Sequence, residues 1–213
     1  ECCKMPQLEQ GDVKTVKIAA EKTAKILKTK IEQGYKVIAP IASCALMLKS
    51  HWPLISPEDE NVKLLADNTL DVDEFIWDLN NANKLNKNFR SLNKNITLHT
   101  SCHSRAQNIG PKSAQILSLI PGIKTMNIEK CSGHGGTWGV KKKWNKTARK
   151  VGLNAAKLLY KEDNLLASTC PLAALHLNDI NDEKKIEQTS KKKRIYHPIE
   201  LIAKAYKNDN TNV

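Results

Sequence analysis

The chain has 213 residues, with 34 Lys and Arg against 22 Asp and Glu and a formal net charge of +12. Such a length supports one large or two small domains with an ample core, and no run of about 18 apolar residues is present to span a membrane. Basic runs are short (Lys141-Lys142-Lys143 and Lys191-Lys192-Lys193-Arg194) and aromatic residues are only 5% of the chain, which argues against nucleic acid as a partner.

From Gly11 to Gln33 the apolar residues Val13, Val16, Ala20, Ala24, Leu27 and Ile31 recur three or four apart, predicting an amphipathic helix stopped by Gly34. Tyr35 to Pro40 reads as a short buried strand with Cys44 just past it, and Ala45 to Lys49 as the start of a helix. Ser56 to Asp59 is a loop. Asp71 to Leu79 is a second helix, with Asp71 as its cap. Asn81 to Asn95 carries six Asn and three Lys and reads as a linker. Beyond it come a strand at Ile96–Thr100, then Cys102; a helix at Ser113–Ile120; and a strand at Ile123–Ile128, then Cys131. A glycine-rich loop leads to a helix over roughly Thr147–Tyr160. A strand at Asn164–Ser168 precedes Cys170. Asp182 to Arg194 is a charged excursion, and Pro198 to Tyr206 is a closing helix with Pro at its first position.

Strands alternating with helices predict an α/β fold with a mainly parallel sheet. In such sheets ligands bind at the edge where the strand C-termini gather. Cys44, Cys102, Cys131 and Cys170 each follow a strand, so this edge is where they are expected to converge. The cysteines also repeat: Cys2 and Cys44 are 42 positions apart, Cys131 and Cys170 are 39. Six cysteines without a secretion signal argue for a reducing compartment, where such groups bind metal or do redox work.

Several chemistries compete for these thiols. Cys102, Cys131 and Cys170 with His99, His103 or His134 make a possible Cys3His zinc site, although no C-x2-C pair is present. An iron–sulfur cluster needs thiolates and backbone N–H donors, which the glycines of Gly133-His134-Gly135-Gly136-Thr137-Trp138-Gly139 can bring close. That loop does not have G-x-G-x-x-G spacing. His103 is the better histidine for tuning a metal, His99 reads as a core residue, and His51, His176 and His197 have no evident partner. A thiol–disulfide protein using Cys2-Cys3 lacks C-x-x-C and a resolving partner.

Four segments carry a resemblance: Cys2-Cys3-Lys4-Met5-Pro6 through Asp12, His99-Thr-Ser-Cys-His103, Cys131-Ser-Gly-His-Gly-Gly through Lys142, and His197-Pro-Ile-Glu through Ala203. Together they resemble the paired cysteine-rich (CCG) domains of heterodisulfide reductase and of the iron–sulfur subunits of glycolate oxidase and anaerobic glycerol-3-phosphate dehydrogenase. The resemblance implies two repeated α/β units, 1–90 (truncated at its N-terminus) and 96–213. It implies Cys2, Cys3, Cys44, Cys102, Cys131 and Cys170 as metal ligands, with Gly133, His134, Gly135, Gly136 and His103 around the cofactor. The sequence departs from the family pattern at Lys4, Met47, Ser132 and Ala173, where the family has Gly or Cys. A chain that opens at Glu1 without Met is expected to be a fragment lacking its N-terminal part.

The family further implies an iron–sulfur electron-transfer subunit, non-catalytic or co-catalytic, carrying a [4Fe-4S] cluster, with zinc as the alternative metal. Electrons would pass from a flavoprotein dehydrogenase partner towards a quinone or another acceptor. The expected location is cytoplasmic or peripheral to the inner membrane, with the positive surface meeting an acidic partner or an anionic membrane face.

Overall fold

A computed structural model of the chain describes residues 2–186 and 193–206. The expected basic run at Lys191–Arg194 and the end of the second unit lie partly outside these residues. In the first part of the chain, α1 (Met5–Glu9) follows Lys4, whose φ is 64°. The Asp12 carboxylate then caps α2 (Val13–Glu32) by accepting the Thr15 N–H at 3.1 Å. As the spacing requires, α2 buries Val16, Ala20, Ala24 and Ile31 along one face.

The strand β1 (Val37–Ala39) ends at Pro40, which has no N–H to donate to a ladder. The carbonyl of Ile41 accepts the N–H groups of Cys44 at 2.9 Å and Ala45 at 3.0 Å. Helix α3 (Ala42–Leu46) therefore begins three residues earlier than expected, and Cys44 lies within its first turns. The helix widens into a π-turn (Met47–His51) and continues as α4 (Trp52–Ile55). Helix α5 (Glu60–Asp67) and β2 (Thr69–Asp71) were not legible in the pattern, being only eight and three residues long. β1 and β2 pair in parallel, Val37 opposite Thr69. Met5, Val16, Met47, Trp52, Val62 and Leu65 form the core of this unit.

Helix α6 (Val72–Asn81) starts at Asp71 with a full capping box. Asp71 accepts the Asp73 N–H at 3.0 Å, and Glu74 accepts the Asp71 N–H at 3.2 Å. The Asn-rich stretch after it has no helix or strand, as expected of a connector. It is anchored all the same: Phe89 is buried and the Arg90 N–H reaches the Ala205 carbonyl at 2.9 Å.

The second part alternates strictly: β3 (Ile96–His99), α7 (Cys102–Ala106), α8 (Lys112–Leu117), β4 (Thr125–Ile128), α9 (Lys142–Leu159), β5 (Leu165–Ser168), α10 (Pro171–Lys184), β6 (Ile195–Tyr196) and α11 (Pro198–Tyr206). All four strands are parallel, in the order β4-β3-β5-β6. Ile96, Leu98, Ile116, Leu117 and Leu201 fill one core with Ile76 of α6 and Phe89. Ile128, Ala155, Leu159, Leu166, Leu177 and Ile180 fill another. Every residue of β3 and β5 is buried, as strands covered on both faces must be. The α/β class with parallel sheets flanked by helices holds. Helix α9 starts five residues before the expected Thr147, and the segment read as an excursion from Asp182 begins inside α10.

Candidate functional site

The strand order fixes where a ligand fits. The chain leaves β3 towards β4 on one side and returns to β5 on the other. The crevice between β3 and β5 is thus the topological switch point, where open α/β sheets bind ligands. Cys102 follows β3 and Cys170 follows β5, so one cysteine stands on each side of it.

A buried polar network holds these two strand ends. Thr169 accepts the Ser101 N–H at 2.9 Å and gives its hydroxyl hydrogen to Ser101 Oγ at 3.0 Å. His99 bridges further: Nε2 lies 3.0 Å from the Lys130 carbonyl and Nδ1 3.0 Å from Ser168 Oγ. A carbonyl only accepts, so Nε2 carries the hydrogen. Ser168 Oγ in turn accepts the Cys170 N–H at 3.3 Å. His99, read from sequence as a core histidine, is one, and it ties the residue before Cys131 to the loop of Cys170. Burial lowers its pKa, which keeps the ring neutral.

The sulfurs are met by backbone N–H groups. Cys2 Sγ accepts from Lys4 N–H and Cys131 Sγ from Gly133 N–H, each at 3.4 Å. Cys3 accepts from Met5, and Cys170 from Ala173 and Leu172 at the start of α10. Such donors favour thiolate over thiol. Burial is the larger effect at Cys170 and raises its pKa. Cys2, Cys102 and Cys131 are exposed; Cys3, Cys44 and Cys170 are half-buried; all six are free thiols.

The two halves meet here. Cys44 lies within electrostatic reach of Cys2 and Cys170, and Cys170 within reach of Cys102. Cys3 and Cys44 touch, their sulfurs 3.2 Å apart. Hydrogen bonding with Cys3 lowers the Cys44 pKa to about 7, while the same bond and burial push Cys3 well up. Cys44 is therefore the more acidic thiol of the pair. Met47, one turn beyond Cys44, is fully buried in the core, and Ala173 is buried in α10; neither position offers a donor.

The glycine loop is shaped by close packing. Gly133 has φ 77°, and a Cβ there would lie 2.0 Å from the Ala148 carbonyl oxygen. One turn on, a Cβ at Gly152 would lie 2.1 Å from the Ser132 oxygen. Ser132-Gly133 thus rests directly on the α9 backbone, and the mid-helix glycine, which costs about 1 kcal/mol in helix propensity, is there for that contact. Beyond Gly133 three of the loop's N–H groups turn inward or to Glu9. Trp138 N–H donates to Gly135 O at 3.0 Å, Gly139 N–H to His134 O at 3.1 Å, and Thr137 N–H to Glu9 Oε2 at 2.7 Å. Glu9, which the sequence did not single out, so joins α1 of the first unit to this loop; only its neighbourhood in space reveals it.

Histidines gather beside the loop. His134 lies edge-on to His176, ring centroids 6.0 Å apart, and within reach of Glu9 and His103; His103 also feels His51. Burial lowers the pKa of His134, His103 and His176. Among the described residues no three His, Cys, Asp or Glu side chains are grouped to hold a single metal ion. The Cys3His arrangement that the sequence allowed for zinc is not assembled. A cluster with several metal atoms takes several thiolates with N–H donors to its sulfurs; Cys2, Cys3, Cys131 and Cys170 are the cysteines that receive backbone N–H groups.

Residues 96–178 match the model of the cysteine-rich domain family, CCG. They form a CCG cysteine-rich domain. Over 214 aligned residues, 98% of this chain, the sequence is 27% identical to a fumarate reductase (CoM/CoB) subunit of Methanothermobacter marburgensis. It is 32% identical over 148 residues to lactate utilization protein A of Geobacillus sp., and 28% identical over 147 residues to the protein of that name from Bacillus subtilis, in each case over 66% of the chain. The chain spans 39% of the length of the first relative and 59% of the other two. The CCG resemblance read from the motifs therefore holds over residues 96–178.

Proposed function

We propose that this chain is an iron–sulfur electron-transfer subunit of an oxidoreductase complex. The observation that carries the reading is the sheet edge itself: Cys102 and Cys170 flank the switch point, and Cys2, Cys3, Cys131 and Cys170 all receive backbone N–H groups. Cys102, Cys131 and Cys170 would hold the cluster, with Cys2, Cys3 and Cys44 supplying thiolates from the other unit. A [4Fe-4S] cluster bound there would supply one-electron storage and transfer.

The chain's own residues set its environment. N–H donors to the sulfurs stabilise negative charge and raise a reduction potential. Neutral His99 holds the Cys131 and Cys170 loops at fixed separation. The Cys2 and Cys131 loops, exposed at the surface, leave the edge open to a partner.

One relative is named as a subunit of a fumarate reductase, which supports membership of a multi-subunit assembly. The proposed donor is a flavoprotein dehydrogenase subunit and the proposed acceptor a quinone or another redox protein. A groove of about 920 Å³ on α9 is lined by Lys142, Lys146, Lys150 and Lys184 and suits an acidic partner surface. Its Glu183 is already paired with Arg149 at 2.9 Å. Among the described residues no helix is long and apolar enough to cross a membrane; contact with a membrane would be peripheral.

The test is anaerobic purification with iron and sulfide analysis. A brown protein with broad visible absorption, whose iron falls on Cys102→Ser and Cys170→Ser, supports the reading. A colourless protein with stoichiometric zinc overturns it.

A further inference from the structure

Cys3 and Cys44, proposed above as thiolates for the cluster, also stand close enough to bond to each other. Cys3 and Cys44 are 41 residues apart in sequence, yet their sulfurs stand 3.2 Å apart. A disulfide needs about 2.05 Å, so closure takes little more than an ångström of side-chain movement. The pair is held from both sides. The Trp52 indole N–H, on a residue that is itself buried, donates to the Cys3 carbonyl at 3.2 Å. Cys44 is fixed in α3 by its N–H bond to Ile41. The second unit has no counterpart, because Ser132 stands where the first unit has Cys3. Met47, buried in the core, leaves the first unit short of the further donor that would pull the two sulfurs apart around a metal.

We propose that Cys3 and Cys44 are a reversible disulfide site, closed by a hydroperoxide, that withdraws both sulfurs from the shared sheet edge. The Cys44 sulfur attacks one peroxide oxygen, its proton passes to the leaving oxygen, and the O–O bond breaks. Cys44 becomes a sulfenic acid and the other oxygen leaves as an alcohol or water. Cys3 sulfur then attacks the Cys44 sulfur, losing its proton as the S–S bond forms, and the hydroxyl departs as water. The two sulfurs give up two electrons in total, and the peroxide accepts them. Reduction by an external dithiol restores both thiols. Cys2 also hydrogen-bonds Cys3, but adjacent Cα atoms stand about 3.8 Å apart, below the usual range for a disulfide, which leaves Cys44 as the partner. The resolving thiol that the sequence did not show for Cys2-Cys3 is thus supplied by Cys44.

Disulfide closure is separable from cluster binding, because it is tested without iron. The full 213-residue chain, iron-free and fully reduced, is treated with one equivalent of hydrogen peroxide. Remaining thiols are alkylated and the unreduced peptides mapped by mass spectrometry. The expected result is loss of alkylation at Cys3 and Cys44 together, recovery of one cross-linked peptide pair, and retained alkylation at Cys102, Cys131 and Cys170. The cross-link persists in Cys2→Ser, whereas Cys3→Ser leaves a Cys44 sulfenic acid that dimedone traps. Alkylation retained at Cys3 and Cys44, or a cross-link joining Cys44 to Cys2 or Cys170, overturns the proposal.

Discussion

Lys4 and Gly133 occupy the same place in two copies of one motif, and the difference between them shows what each unit is built to do. Both follow a cysteine by two residues, both have positive φ (64° and 77°), and both give their N–H to that cysteine's sulfur at 3.4 Å. The turn that aims an N–H at sulfur is therefore the shared element. At 133 that turn also lies against the α9 backbone, where no side chain fits. The first unit tolerates a lysine, at the cost of a left-handed non-glycine residue. The second unit packs its turn directly on α9 beside the switch point; the first brings Cys3 and Cys44 into contact.

The largest expected effect tests that packing. Gly133→Ala adds a Cβ 2.0 Å from a backbone oxygen at positive φ. The sum of overpacking and left-handed strain predicts a loss of about 2–5 kcal/mol, read as a fall in thermal or denaturant midpoint. A loss below about 1 kcal/mol would mean that the Ser132-Gly133 contact with α9 is not tight.

The seam between the units carries the next. Asp73 on α6 accepts a hydrogen bond from Ser113 on α8, its other oxygen has no partner among the described residues, and burial raises its pKa from 3.8 to about 7. A carboxyl whose folded pKa is raised stabilises most below its unfolded pKa, and that contribution is lost as pH rises through 7. Stability should therefore decline between about pH 4 and pH 8, by up to about 4 kcal/mol. Asp73→Asn should flatten the decline; an unchanged slope in denaturant titrations would remove Asp73 as its source.

Two smaller changes sharpen the contrast. Glu9→Gln removes the charge at the Thr137 N–H, costing about 1 kcal/mol; faster hydrogen exchange at the Thr137 amide is its local signature. Lys4→Gly relieves the strained φ and should gain up to about 1 kcal/mol after the added freedom of the unfolded chain. Destabilisation instead would show that the Lys4 side chain makes up for its backbone.

The fold was legible where local chemistry is explicit. Asp71 announced the start of α6 and Pro198 that of α11, and the apolar spacing of α2 gave its buried face, while its cap, Asp12, emerged only in the structure. Helix α10 escaped notice because Leu172 and Leu175 are exposed while His176 and Asn181 are buried, which blurs the period. Strand β6 has two residues, too few for a pattern. In the site, reading Cys102 and Cys170 as each following a strand was enough to put them on the two sides of the switch point. The Cys3–Cys44 contact, the Glu9 bridge and the need for Gly152 are long-range matters that no window of sequence contains. Met47 was visible as a missing sulfur, but only packing shows that it serves the core.

The central claim is that the β3/β5 switch point holds an iron–sulfur cluster through the second unit's cysteines. The most direct measurement is iron and sulfide content, with the low-temperature EPR spectrum, of the anaerobically reconstituted chain and of Cys170→Ser. The account predicts bound iron and sulfide with a cluster signal in the parent chain, and a large loss or altered signal in the variant. Iron content and signal unchanged in Cys170→Ser would contradict it.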